Sequence, residues 1–243
     1  MRIAFSGTAN TGKTTLIKNF IAVWPQFTTS IKTYRDIIQE KNLTHSSATT
    51  SETQWEILNF MIDQMQSYDK KTKVVFDRCP LDNLAYTMWA FEKGIEGIDK
   101  EFVDKCITLT KESMRHLDII FLLKHDDTIQ IVEDELRDTD IGYIKEIDNI
   151  FTALYEQYYQ NPEADIFFPK HDSPGVIVLP ANPQQRIDII AEYLDMQGDV
   201  FGDEHSIFNP DKLDELEALV RQQKAALEQE NQEKALFKKF GLN

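Results

Sequence analysis

Cysteine is scarce in this chain of 243 residues, which contains only Cys79 and Cys106. Two cysteines are too few for the disulfide framework of a small secreted protein, and no cysteine–histidine cluster has zinc-binding spacing. Low cysteine use is typical of a reducing compartment. The apolar run at the N-terminus is too short for a signal peptide, and no apolar run is long enough to cross a bilayer. We therefore expect a soluble cytoplasmic protein with no membrane partner.

Basic residues are also few, because 26 Lys and Arg stand against 41 Asp and Glu and leave a net charge of −15. A protein that wraps nucleic acid needs a basic face to neutralise phosphates. The charge balance disfavours nucleic acid as a partner, although it leaves room for a small basic cleft. Secreted, membrane, collagen-like and disordered classes are excluded, and the length suits one domain with an appendage.

Short apolar runs alternate along the chain with segments of helical periodicity. The runs lie at residues 3–5, 27–31, 74–76, 119–123 and 176–179. Runs of this length, rich in Val and Ile, are typical of strands that are buried on both faces of a parallel sheet. Between them, apolar residues recur at helical spacing over 55–65 and 144–158. The pattern predicts an α/β layer fold with right-handed crossovers.

The composition changes near residue 197 and suggests a boundary there. We predict one domain over 1–197, a linker over 198–210 and a C-terminal amphipathic helix over 211–243. Leu213, Leu216, Val220 and Leu227 lie on one stripe of that helix, but too few heptads hold for a sustained coiled coil. The favoured interpretation is a helix packed on its own domain. A contact with a second copy or with a protein partner is the alternative.

The strongest motif is Gly-Thr-Ala-Asn-Thr-Gly-Lys-Thr at residues 7–14, which matches G-x-x-x-x-G-K-[ST] between a predicted strand and a predicted helix. Such a loop turns backbone N–H groups around phosphate oxygens, and the helix dipole assists. Lys13, expected to be exposed, would reach the β- and γ-phosphates, and the Thr14 hydroxyl would ligate Mg²⁺. ATP and Mg²⁺ are therefore the predicted cofactors. The residues expected to bind ATP are Gly7, Asn10, Thr11, Gly12, Lys13, Thr14 and Thr15.

A second signal, Asp77-Arg78, follows the third apolar run. An Asp at the carboxyl end of a buried strand faces the crevice where α/β sheets bind ligands. Beside a phosphate-binding loop, Asp77 could hold Mg²⁺ or take a proton from an acceptor hydroxyl, and both roles stay open. The guanidinium of Arg78 suits an anionic acceptor.

The loop together with D-R-x-x-x-D at residues 77–82 resembles the nucleoside and nucleotide kinase group of P-loop proteins, which includes thymidylate kinase. The longer phrase over 76–86 resembles more narrowly the ribosylnicotinamide-kinase-like AAA domain proteins, many of them from bacteriophages. The resemblance covers roughly residues 1–195. It implies a three-layer P-loop NTPase fold with a five-stranded parallel sheet in the order 2-3-1-4-5. For a phage protein, the compartment would be the host cytoplasm.

The resemblance also implies site roles. A lid near 126–142 would bring Arg137 over the γ-phosphate as charge develops, so that Lys13, Asp77, Arg78 and Arg137 are the candidate catalytic residues. Relatives often place a glutamate after the second strand to touch the acceptor. Here Arg35-Asp36 stands near that position, and Arg35, Asp36 and Arg78 are the candidate acceptor-binding residues.

The predicted activity is ATP- and Mg²⁺-dependent phosphoryl transfer to a nucleoside monophosphate or a related nucleoside or nucleotide. Arg35 and Arg78 at one pocket favour an acceptor that already carries a phosphate. One alternative is a kinase that acts on a modified base in DNA. Another is a non-kinase P-loop ATPase with a protein partner, although Asp77-Arg78 lacks the strand-terminal Asp-Glu pair usual in motor ATPases.

Overall fold

The computed structural model describes residues 1–125, 140–160, 166–169 and 171–201. Within them, five parallel strands form one sheet in the order β2-β3-β1-β4-β5. The strands are β1 (Arg2–Ser6), β2 (Thr28–Thr29), β3 (Val74–Asp77), β4 (Ile119–Leu123) and β5 (Gly175–Leu179). The predicted α/β fold and strand order are confirmed.

Seven α-helices accompany the strands in the described residues. They are α1 (Lys13–Val23), α2 (Tyr34–Lys41), α3 (Ser51–Gln66), α4 (Pro80–Glu92), α5 (Lys100–Ser113), α6 (Ile141–Gln160) and α7 (Pro183–Tyr193). Short 3₁₀ turns lie at Ser46–Ala48 and Met114–His116. The alternation of strand and helix gives the parallel crossovers that the sequence pattern predicts.

Helices cover both faces of the sheet, so neighbouring residues of β1 serve opposite cores. Ala4 belongs to a buried cluster with Phe76 and with residues of α4 and α6. The Phe5 ring packs instead against Phe20 of α1 and Phe121 of β4, each at 5.5 Å between centroids. Every residue of β1 and β4 is buried, which explains why these strands read as continuous apolar runs.

The second strand is shorter than the sequence suggests. The apolar run covers 27–31, whereas β2 contains only Thr28 and Thr29, both exposed. It lies at the edge of the sheet and pairs on one side only, with β3. Phe27 is buried against the Phe20 ring. This apolar residue of the run therefore packs in the core and is not part of the strand pairing.

The register of the sheet brings two signals to the same edge. Phe5 of β1 lies opposite Asp77 of β3 in the parallel ladder. The carboxyl end of β1 leads into the loop at residues 7–12, and that of β3 leads into Asp77-Arg78. Because the carboxyl ends of parallel strands share one edge, the two motifs meet there.

Two compact units divide the chain. The first comprises residues 1–191 and 196–198, and the second comprises 192–195 and the chain from 199 onward. In the second unit, Leu194 and Val200 form an antiparallel bridge. Most of the predicted linker and all of the predicted helix at 211–243 lie outside the described residues.

Candidate active site

The loop between β1 and α1 turns so tightly that two of its positions require glycine. Gly7 has a φ of 131°, and a Cβ there would lie 2.3 Å from the Leu123 carbonyl oxygen of β4. Gly12, immediately before α1, has a φ of 83° in the left-handed region. Both positions strain any other residue. The glycines of the motif therefore let the loop pass over the end of β4 and enter α1.

The Asp82 carboxylate anchors the start of this loop. Its Oδ1 accepts the Gly7 N–H at 3.0 Å, and its Oδ2 accepts the Ser6 hydroxyl at 2.7 Å and the Cys79 N–H at 3.0 Å. Arg78 completes the set with Nη1 at 2.9 Å from Oδ1. Asp82 is fully buried, and these four donors compensate its charge. The first turn of α4 thus fixes the position of the loop.

Lys13 is buried, contrary to the expectation that it would be exposed. Its side chain folds back, and the ammonium donates to the carbonyl oxygens of Gly7 and Thr8 and to Thr11 Oγ1. Burial, with repulsion from Arg78, holds the Lys13 pKa well below its usual value. The motif predicts a lysine at this position but not its folded-back conformation. That conformation arises because a buried ammonium needs hydrogen-bond acceptors, and the nearby loop oxygens provide them.

A cavity opens above the loop, and most of the predicted site residues line it. This loop cavity is lined by Ala9, Asn10, Gly12, Lys13, Thr14, Thr15, Arg35, Asp77 and Arg78. Gly7 and Thr11 are not among the lining residues. The Thr11 hydroxyl donates to the Thr8 carbonyl and accepts from Lys13. The structure therefore brings loop, Asp77 and both arginines together, and it places Gly7 and Thr11 behind the cavity wall.

Arg78 follows Asp77 with a φ of 81°, a left-handed conformation that is uncommon outside glycine. This turn buries its guanidinium, which donates Nη1 to the Gly7 carbonyl at 2.8 Å and Nη2 to the Tyr86 hydroxyl at 3.2 Å. Burial alone would lower the Arg78 pKa, but Tyr86, Tyr34 and the acidic neighbours raise it well above its usual value. Arg78 is thus a fixed positive charge in the cavity wall.

The Tyr34 ring contacts both arginines. The Arg78 guanidinium sits 5.2 Å from the centroid of the Tyr34 ring, and the Arg35 guanidinium sits 5.6 Å from it. Arg35 also donates Nε to the Tyr34 hydroxyl at 3.3 Å. Cation–π contacts of this kind hold guanidinium groups over aromatic faces. Both arginines therefore contact one aromatic ring, and both line the loop cavity.

Asp36 caps the N-terminus of helix α2. Its carboxylate accepts the Thr33 N–H at 2.6 Å and the Thr33 hydroxyl at 2.9 Å, which closes the capping box of α2. These bonds keep the Asp36 pKa below its usual value. Asp36 is absent from the described lining of the loop cavity, and its contact with an acceptor stays a prediction.

A second cavity adjoins the first and shares Ala9, Arg35 and Arg78 with it. We call it the aromatic cavity, because three tyrosines line it. Its remaining lining residues are Tyr34, Ile38, His45, Ser46, Thr49, Thr53, Gln54, Ile57, Met61, Asp82, Asn83, Tyr86 and Tyr143. Apolar walls with a few polar groups suit a flat heterocycle that carries hydrogen-bonding edges.

An AAA domain family model matches residues 2–163 of the chain. The chain belongs to this AAA domain family. No curated protein matches it.

Solved structures resemble the fold of this AAA domain protein. Deoxyadenosine kinase from M. mycoides, with dCMP and dCDP bound, has a TM-score of 0.55 at 16% identity, covering 79% of this chain and 97% of that one. Thymidylate kinase from Candida albicans has a TM-score of 0.54 at 14% identity, covering 78% and 90%. NadR in complex with NR has a TM-score of 0.54 at 14% identity, covering 79% and 51%. The resemblance to the P-loop kinase group is confirmed at the level of the fold.

Several residues that line the aromatic cavity of the AAA domain were not predicted from the sequence. Asp82 and Tyr86 lie inside the Asp-Arg phrase, yet spacing alone assigned them no role. Gln54 looks like part of a helix start, but its amide donates to the Thr49 hydroxyl and its carbonyl accepts from Thr87. Tyr143 packs its ring against Trp89 at 4.6 Å. Only the folded chain brings such distant positions to one wall.

Two predicted features of the AAA domain fall wholly or mostly outside the described residues. Arg137 lies there, as does the lid apart from residues 140–142. Of the described helices, none is long and apolar enough to span a bilayer.

The predicted metal ligands fit Mg²⁺ in their chemistry. Thr14 and Asp77 both line the loop cavity. Each has a side chain with oxygen atoms, the ligands that Mg²⁺ prefers. Protein sites often give this ion only one or two groups and leave the other positions to phosphate and water. Across the described ranges, no group of three or more His, Cys, Asp or Glu is arranged for a metal. Thr14 and Asp77 thus suit an ion that arrives with a nucleotide.

Proposed function

We propose that this protein transfers the γ-phosphoryl group of ATP to a nucleoside monophosphate or a related nucleoside or nucleotide. The observation that carries the proposal is the shared wall of the two cavities, formed by Ala9, Arg35 and Arg78. A triphosphate in the loop cavity would end where the aromatic cavity begins. Phosphoryl transfer needs such a junction, because positioning and charge stabilisation supply most of the catalysis.

The loop supports binding of the ATP phosphates. Asn10, Gly12, Thr14 and Thr15 face the loop cavity at the start of α1, where backbone N–H groups and the helix dipole attract anions. Lys13 would exchange the loop carbonyls for the β- and γ-phosphate oxygens. Such an exchange removes three contacts of a buried ammonium and replaces them with stronger charge-assisted ones.

Thr14 and Asp77 would hold Mg²⁺ beside the phosphates. The ion would neutralise charge on the transferring group. Asp77 lines the loop cavity next to Arg78, which supports a second possible role in which its carboxylate accepts a proton from the acceptor hydroxyl. The lid residue Arg137 remains our candidate for stabilising charge on the γ-phosphate in the transition state.

Arg35 supports an acceptor that carries a phosphate. Among the described residues it forms one hydrogen bond, from Nε to Tyr34, so its Nη groups are available to an anion. The Arg78 guanidinium is already engaged by Gly7, Asp82 and Tyr86 and would add charge rather than a flexible clamp. A monophosphate offers these groups a partner, whereas a free nucleoside offers none.

The test is a side-by-side assay of nucleosides, nucleoside monophosphates and modified duplex DNA with labelled ATP. We expect monophosphates to be phosphorylated faster than the matching nucleosides, with deoxynucleotides tested first. Arg35→Ala should reduce kcat/KM for the acceptor by tens to hundreds of times, since a phosphate clamp contributes about 2–3 kcal/mol. Arg115→Ala, at an exposed position, is the control and should not change it.

Other outcomes of this assay favour the alternatives. A preference for nucleosides that is indifferent to Arg35 would contradict the monophosphate assignment. Activity on DNA alone would favour a polymer kinase. ATP hydrolysis with no phosphorylated acceptor would favour an ATPase that works with a protein partner.

We also propose that the catalytic domain ends near residue 197. Two contacts within the first unit support this boundary: Gln26 donates its amide to the Met196 carbonyl, and Lys73 donates its ammonium to the Gln197 carbonyl. A chain truncated after Gln197 should remain folded and bind ATP. Aggregation or unfolding of that chain would show that residues 198–243 cover apolar surface.

A further inference from the structure

Arg186 of α7 is a buried cation that the proposed chemistry does not use. It is 1% exposed, and its guanidinium donates to three backbone carbonyls. Nε donates to Pro180 at 2.8 Å, Nη2 to Ala181 at 2.8 Å and Nη1 to Thr11 at 2.7 Å. The first two carbonyls follow β5, and the third belongs to the loop at residues 7–12. One side chain therefore links the segment after β5 to the loop at residues 7–12, and its contact with Thr11 spans 175 residues of sequence.

The charge of Arg186 has no described counter-ion. No carboxylate of the described ranges forms an ion pair with it, and an arginine stays protonated in proteins. Buried charges are normally paired, because removal from water is costly. Here three carbonyl dipoles replace the partner. A positive charge of this kind, held directly behind an anion-binding loop, adds to the field that an incoming phosphate meets.

The contact with Thr11 has a geometric consequence for Gly12. The Thr11 carbonyl and the Gly12 N–H belong to one peptide unit, and in a planar trans peptide they point in opposite directions. Because Arg186 holds the carbonyl behind the loop, the Gly12 N–H is turned away from Arg186. Gly12 lines the loop cavity, and a Cβ on it would lie only 3.2 Å from Arg186 Nη1. The absence of a side chain on Gly12 thus leaves room for this guanidinium.

We propose that Arg186 is a positioning residue for phosphate binding, which it assists by fixing and polarising the Thr11–Gly12 peptide from behind the loop. This inference rests on the proposed binding of ATP in the loop cavity. Arg186 lies outside the phosphate-binding motif and more than 170 residues after it in the sequence. A guanidinium suits the role because its rigid fork can reach three carbonyls at once.

The test measures binding of ATP and of inorganic tripolyphosphate to the full chain by calorimetry. Arg186→Met removes the charge at similar length, and we expect it to raise both Kd values at least tenfold. Arg2→Met is the matched control. Arg2 is also buried, donates to a backbone carbonyl, that of Arg115, and pairs with Asp118 away from the cavities. It should lower the thermal unfolding temperature while leaving both Kd values within twofold of wild type.

Arg186→Lys supplies a second readout and serves alone if Arg186→Met does not fold. The lysine keeps the charge but cannot bond three carbonyls, so both Kd values should lie between those of wild type and Arg186→Met, or rise at least threefold if measured alone. Binding within twofold of wild type in the folded Arg186 variants would overturn the inference. An equal rise in Arg2→Met would also overturn it, because the effect would then reflect stability alone. Failure of wild type to bind either ligand would instead refute the proposed function.

Discussion

The carboxylate of Asp82 accepts the backbone N–H of Gly7 at 3.0 Å, which joins the first turn of α4 to the first residue of the loop between β1 and α1. The same carboxylate accepts Arg78, whose guanidinium also bonds the Gly7 carbonyl. Gly7 is thus held through both its N–H and its C=O. The loop that would receive ATP and the arginine that would face the acceptor share one buried support.

Asp82→Asn tests this support. An amide presents one acceptor oxygen and an NH₂ donor to four donors, so at least one buried group loses its partner. Breaking a buried pair of this kind costs about 3–5 kcal/mol, and ATP binding should weaken with it. Urea denaturation and calorimetric titration measure both effects. Asp104→Asn, in an exposed pair with Lys100, should change stability by no more than about 0.5 kcal/mol; an equal loss in both variants would contradict the anchoring role.

Lys13→Ala should reduce phosphoryl transfer by at least about 100-fold, because it removes charge-assisted contacts that strengthen in the transition state. Lys18→Ala, on the exposed side of α1, is the control and should leave transfer unchanged. Steady-state kinetics at saturating ATP make the comparison. Full turnover in a folded Lys13→Ala protein would refute nucleotide binding by this loop.

The depressed pKa of Lys13 predicts a pH dependence of stability. At a pH above the folded-state pKa, the unfolded chain binds a proton that the folded chain has lost. The free energy of unfolding therefore rises with pH until the pH reaches 10.5, the usual pKa of lysine. Wild type should therefore gain stability relative to Lys13→Met between about pH 7 and about pH 9.5. Urea titrations of the unliganded proteins at both pH values provide the difference. A difference that stays constant or falls would show that the ammonium is not destabilised by burial.

Gly7→Ala and Gly94→Ala separate backbone strain from steric conflict. Gly94 has a φ of 69° with open space where a Cβ would lie, so alanine should cost about 1–2 kcal/mol there. At Gly7 the Cβ would also lie 2.3 Å from the Leu123 carbonyl oxygen, and the loop must shift. We expect a larger loss of stability and loss of ATP binding only at Gly7. Thermal melts with and without ATP distinguish the two variants; retained ATP stabilisation in Gly7→Ala would contradict the prediction.

Asp77→Asn should lower kcat by about 100-fold with little change in ATP affinity, since the carboxylate acts on the metal or on the acceptor proton. A titration with Mg²⁺ separates the two roles. As a metal ligand, Asp77 would make the variant require more Mg²⁺ for half-maximal activity; as a base, it would not. Asp63→Asn, exposed on α3, is the control. An unchanged kcat in Asp77→Asn would show that the Asp77 carboxylate takes no part in catalysis.

The sequence by itself determined the features that are local in the chain. Continuous apolar runs predict β1, β3, β4 and β5 because both faces of a parallel sheet are covered, whereas β2 is shorter than its run and exposed. The strand order came from the resemblance. The loop at residues 7–14 is readable because its glycines, lysine and threonine act through their immediate backbone. Asp77 and Arg78 are readable because a polar pair that ends a buried strand must lie at the sheet's carboxyl edge.

Only the tertiary structure decided what holds these pieces in place. Asp82 meets Gly7 across 75 residues, and Arg186 meets Thr11 across 175 residues. Such contacts leave no periodic pattern, because they depend on where separate crossovers return to the sheet. The need for glycine at position 7 comes from the Leu123 carbonyl of a neighbouring strand. The burial of Lys13 also depends on the folded structure, because the oxygens that accept from its ammonium lie close together only when the loop is folded.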